Sequence, residues 1–245
     1  MAISFPAGFP IAANGDTLAT PTPPSVTMPA AYGADADFAF LFGLFASTTL
    51  PVTASSSNAQ SQAWQLGPRL VDTVNGNALV FLNAVAQDTS TPDIVDLTYG
   101  GATTGIIGNW WPGSLTAGLG PTTQWTVGAG PGFSGTGTTI NYETATPFAN
   151  SNPQAALWFA LSSSTATGES WGGYNFIDSP TNSGNEMVSN LGIVSGGGPY
   201  APTSSQTGTF YDTIYVVVEA FVTTGAFILP GPQVSLQAVT SASFR

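Results

Sequence analysis

GTFYDTIYVVVEAFVTTGAFIL, residues 208–229, is the stretch on which the fold turns. Its even positions Phe210, Ile214, Val216, Val218, Ala220 and Val222 form a nearly unbroken apolar row. Its odd positions Thr209, Tyr211, Thr213, Tyr215 and Glu219 are polar or amphipathic. Alternation of period two in β-branched and aromatic residues marks a strand with one face on a core. Val217 and Phe221 make the second row partly apolar, so a covering layer on that side also fits the pattern.

Segments of the same kind recur upstream. Over 36–46, Ala36, Phe38, Phe40, Phe42 and Leu44 share one face of a buried strand, with Ala39 and Leu41 on the other. Gly43 leaves room there for a close backbone or a large ring. Between LVDTV and NALVFLNAVA, Asn75-Gly76 reads as a type I′ hairpin turn, because both residues tolerate positive φ. Ala78, Val80, Leu82 and Ala84 line one face of the second arm; Leu79, Phe81 and Val85 line the other, where Asn83 is an exception. Short strands are expected at 64–66, ending at Gly67-Pro68, and at 94–99, 123–127, 138–143 and 233–239. Over 155–161, Ala155, Leu157, Phe159 and Leu161 share a face and Trp158 points opposite. A weak helical turn is read at 185–191. About nine to eleven strands with turn signals between them describe an all-β, antiparallel β-sandwich or jelly-roll-like protein.

Pro6, Pro10, Pro21, Pro23, Pro24 and Pro29 forbid a helix in residues 1–34, which read as an extended N-terminal arm. Phe5, Phe9 and Ile11 are its apolar anchors, suited to lie on its own domain or on a neighbour. Residues 35–245 then form the sandwich, with an internal boundary near 140–155 as the alternative. A faint echo links 38–46 followed by Trp64 to 157–161 followed by Trp171, and is read as a recurring sandwich device rather than a duplication.

Hydrophobic residues make up 42% of the 245 and charged residues 6%, against about 25% charged in an average soluble protein. Ser, Thr, Asn and Gln must therefore wet the surface. Burying hydroxyls and amides that find partners costs less than burying unpaired charge, so this surface suits contact with other subunits. The net charge is −11, with two arginines and no lysine. That excludes phosphate-driven binding of nucleic acid and attraction to anionic membranes. Residues 1–16 lack a basic region and make a poor signal peptide, and no apolar run reaches membrane-spanning length.

Histidine and cysteine are absent, which removes the common zinc sites and histidine-activated nucleophiles. Glu143, Glu169 and Glu219 could supply a glycosidase pair, but no motif singles them out. Asp35 and Asp37 share a face, and Asp88, Asp93 and Asp96 cluster without the spacing of a calcium loop. No catalytic, cofactor-binding or metal-binding residue is assigned. The candidate contact residues are aromatic: Phe5 and Phe9 on the arm, and Tyr99, Trp110 and Trp111 in or near a Gly/Trp/Pro-rich loop over 100–135. Trp171 and Tyr174 are a second group. Flat rings stack on sugars or seat in partner pockets.

DADFAFLFGLFAS, the Trp64–Gly67 segment with its hairpin into ALVFLNAVA, AALWFALSSS, and GESWGGYNFIDSP before YVVVEAF occur in that order. This succession, over residues 20–222, resembles phage virion β-sandwich proteins of the actinobacteriophage minor tail protein type. The Trp110-Trp111 stretch and the proline arm depart from it. The resemblance implies a non-enzymatic sandwich mounted on a virion, with no catalytic residues and no cofactor to carry over. Its implied partners are other virion proteins and further copies of itself, as trimers or rings. Head decoration, and a carbohydrate-binding or host-adhesion module, are the alternatives.

Overall fold

The computed structural model describes residues 3–4, 25–28, 37–45, 51–56, 63–86, 91–99, 108–120, 123–130, 132–164, 166–168, 175–178, 186–194 and 200–222. Their regular structure is all strand: β1 Ser25–Thr27, β2 Asp37–Phe45, β3 Pro51–Ser56, β4 Gln65–Asp72, β5 Asn77–Ala86, β6 Ile94–Tyr99, β7 Gly108–Leu115 and β8 Thr123–Ala129. The series continues with β9 Phe133–Thr136, β10 Thr139–Asn141, β11 Gln154–Ser162, β12 Ala166–Gly168, β13 Asn175–Asp178, β14 Glu186–Val194, β15 Thr203–Gln206 and β16 Phe210–Val222. The all-β antiparallel expectation is met.

Hydrogen bonding sorts these strands into four sheets. Their orders are β1-β6-β3, β4-β5-β2-β7, β13-β14-β11-β16-β8 with β9 also on β16, and β10-β15-β12. Three cores lie between them. The central core joins Phe38, Phe40, Phe42 and Phe81 to Leu157, Phe159, Val216 and Val218. A second joins Ala39, Leu41, Val80 and Leu82 to Val26, Val95 and Leu97. A third joins Ala156, Trp158 and Val217 to Ile140 and Tyr142. The sandwich is therefore doubled into four layers, and both inner sheets are covered on both faces. This is why every residue of β11 is buried, and why Phe42 stacks on Phe159 at 4.3 Å across the middle.

The four layers arise because the chain traces one path twice. In β1–β7 the orders are β1-β6-β3 and β4-β5-β2-β7; in β10–β16 they are β10-β15-β12 and β13-β14-β11-β16. Each path alternates between layers except at β4–β5 and β13–β14, which stay within one sheet, as in a jelly roll. Correspondence reaches the residue. β2 pairs with β5 over nine residues and β11 pairs with β14 over nine; β1 and β10 each bury only their middle residue. Phe38↔Leu115 matches Ala155↔Val218, which sets Thr116 in correspondence with Glu219. Ser4 bridges Thr116 as Thr126 pairs with Glu219. Ile3, next to that bridge, is buried in the central core.

Several local expectations change. Residues 186–191 of the expected helical turn are part of β14, because the long edge of β11 pairs with that strand along its whole length. Trp110 and Trp111 are not in a loop; they pair with Gly43 and Phe42 inside β7. Gly67-Pro68 does not end a strand, since β4 continues past it through a register shift between Leu66 and Arg69. The hairpin at Asn75-Gly76 exists, but its loop has four residues rather than two. The Asp72 carboxylate accepts from the Val74 and Asn75 amides at 2.8 and 3.1 Å and holds the wider turn; Gly76 supplies the positive φ of 73°. Sixteen strands appear among the described residues, because pieces of three or four residues are too short to show alternation.

Candidate functional site

Two places among the described residues bring polar groups against the central core. The first is a groove of about 560 Å³ at one open end of the central core. The first half of β4, the end of β5 and the outer strand β8 form it. Trp125 and Phe38 pack together at 5.5 Å in its base. Gln65 and Asn83 add side-chain amides, and Leu66 and Val85 stand exposed on its rim. Asn83 sits in the Leu79, Phe81, Val85 row, so its break in the apolar pattern brings an amide into the groove.

The second place is a carboxyl pair between the two halves. Asp212 of β16 is fully buried, and neither of its oxygens has a hydrogen bond of ordinary geometry. Ser134 is its register partner in β9. Burial, with Asp72 beside it, pushes the Asp212 carboxyl up to about 6, although Ser134 works in the opposite direction. Burial also acts to raise Asp72, but hydrogen bonds from Asn75 and Val74, with a contribution from Asp212, outweigh it and hold Asp72 below its usual value. Below about pH 6 Asp212 therefore holds its proton while Asp72 is ionised, and the two titrate as a pair. With Asp72 only 6% exposed and Asp212 at 0%, the pair is closed to a substrate and acts on the fold.

The other carboxylates read from the sequence are dispersed. Glu219 accepts from Asn150 and Asn152 and is nearly buried. Glu143 is raised by burial, its Oε2 lacks a partner, and it raises Tyr215 in addition to that residue's own burial. Asp93 accepts from the Trp64 indole at 3.3 Å, and Asp96 accepts from Ser25. Among the described residues no group of three or more carboxylates is placed to hold a metal ion. Asp35, Asp88 and Glu169 lie outside the described residues.

The aromatic candidates do not form one surface in the strand pattern. Tyr99 ends β6, opposite Pro51 in an outer sheet, whereas Trp110 and Trp111 belong to an inner one. Phe5, Phe9, Trp171 and Tyr174 lie outside the described residues. Sequence reasoning missed the groove and the carboxyl pair. Their only signals were two gaps in apolar rows, at Asn83 and at Asp212. Comparison of the chain with family models, curated proteins and solved structures found no match in any of the three.

Proposed function

We propose that this chain is a non-enzymatic structural subunit of a virion, a minor tail component of a phage that assembles through its sandwich surfaces and its N-terminal arm. Head decoration is the alternative placement. The observation that carries the assembly reading is the exposed β4–β5 hairpin, where Val74 is 91% exposed and Val71 39%. Apolar side chains held out in water at one hairpin suit a contact surface, and the sparse charge of the chain supports that use. The virion assignment rests on the resemblance carried by the strand and turn segments.

Light scattering on the full chain over rising concentration tests self-association. The expected result is a mass above the monomer, reduced by Val74→Asp, a change at a site too exposed to affect folding. Antibody labelling of intact phage particles tests the location, with signal expected on the tail. A monomer at every concentration that is also absent from particles overturns the proposal.

A further inference from the structure

We propose that the groove between β4, β5 and β8 binds a neutral saccharide, with Trp125 as its apolar platform and Gln65 and Asn83 as its hydrogen-bonding groups. The groove lies at the start of β4, whereas the hairpin tip lies at its end, so this site goes beyond the assembly surface. Its volume of about 560 Å³ falls within the range of roughly 300–1,000 Å³ usual for small-ligand pockets.

The chemistry of the lining selects the ligand class. Among the described residues no charged side chain lines the groove, in a chain that carries thirteen carboxylates. An ionic ligand would find no counter-charge there. A side-chain amide both donates and accepts, which is what sugar hydroxyls require. An indole offers a flat apolar surface to the C–H face of a pyranose. A mixed lining of this kind fits a neutral polyol better than a lipid tail or an anion.

An extended peptide fits less well. Adding a strand to β4 needs a regular ladder of free amides, and Pro68 removes one of them beside the Leu66/Arg69 register shift. Proline and bulges are the devices that spoil an edge for pairing. A bulge also re-aims neighbouring groups, as it commonly does next to binding sites.

The duplicated path provides an internal control. Asn83 pairs with Phe40 as Leu191 pairs with Leu157, so Leu191 stands where Asn83 does. Thr126 at Glu219 corresponds to Ser4 at Thr116, so Ile3 stands where Trp125 does. Ala155 stands where Phe38 does. The fold thus accepts Leu and Ile at positions where the groove carries an amide and an indole. Those two side chains are features of the groove rather than demands of the architecture.

The test is a glycan array holding neutral and sialylated oligosaccharides, probed with the full chain and followed by titration of the best neutral hit. The expected result is binding to at least one neutral glycan. Asn83→Leu and Trp125→Ile, which copy the residues of the other half, are each expected to weaken it at least tenfold with an unchanged circular dichroism spectrum. Gln65→Ala, at an exposed position, is expected to weaken it several-fold. Absence of any neutral hit overturns the proposal, as does binding confined to sialylated glycans, or binding that survives both Asn83→Leu and Gln65→Ala. None of these readouts depends on oligomeric state or on location in a particle.

Discussion

Asp212 occupies the one carboxylate position in an otherwise apolar row, and its burial makes the protein sensitive to pH. Its proton is held up to about 6 in the fold against 3.8 for the ordinary group. The native state therefore binds more protons than the unfolded chain between these values, and stability falls as pH rises through that window. The contribution is fully present below the unfolded value and lost above about 6; the shift corresponds to on the order of 3 kcal/mol. Glu143, also raised by burial, acts in the same direction. Asp72 is lowered, so its contribution is lost only as pH falls below the ordinary range, outside this window. Urea unfolding at pH 4.5 and 7 should show the wild type weaker at pH 7. Asp212→Asn should remove most of that difference, because the amide stays neutral and can donate to Asp72. An equal pH dependence in the variant would count against this assignment. The gap at residue 212 is visible in the sequence, like that at Asn83. What each gap faces is not visible, because the opposing groups come from strands distant along the chain.

At the scale of the element, β2 and β11 show what alternation can and cannot convey. Phe38, Phe40 and Phe42 against Ala39 and Leu41 already make both faces of β2 apolar, and Trp158 opposite Leu157 and Phe159 does the same for β11. Period two identifies these strands and their faces; it does not say which sheet covers each face. Phe42 is fully buried and stacked on Phe159, so Phe42→Ala should cost about 3–5 kcal/mol in equilibrium unfolding. β14 was harder to read, since its place is fixed by the open edge of β11 rather than by its own pattern. β9 depends on close approach. A Cβ at Gly135 would come within 2.3 Å of the Tyr211 ring, its register partner. Gly135→Ala should therefore lift β9 from β16, seen as faster hydrogen exchange at Ser134 and Thr136 with little change in β11. Unchanged exchange at β9 would show that the tyrosine ring turns aside.

At the scale of the whole molecule, the two tracings of one path do not make two separate folding units, because they share the central core. Phe38, Phe40, Phe42 and Phe81 from the first tracing and Leu157, Phe159, Val216 and Val218 from the second bury one another. Each half keeps its own outer core but loses an entire inner face without the other. The sequence echo at 38–46 and 157–161 is real at the level of register, yet the side chains have diverged, with Phe38 matched to Ala155 and Asn83 to Leu191. Repetition of path is therefore invisible to composition and only faint in pattern. A shared core couples the halves, so thermal unfolding should be a single cooperative transition, with coincident midpoints by circular dichroism and tryptophan fluorescence. Phe42→Ala in the first tracing and Leu157→Ala in the second should each lower that one midpoint as a whole. Two resolved transitions, with each substitution moving only its own, would show that the outer cores suffice to hold each half and that the central interface is dispensable.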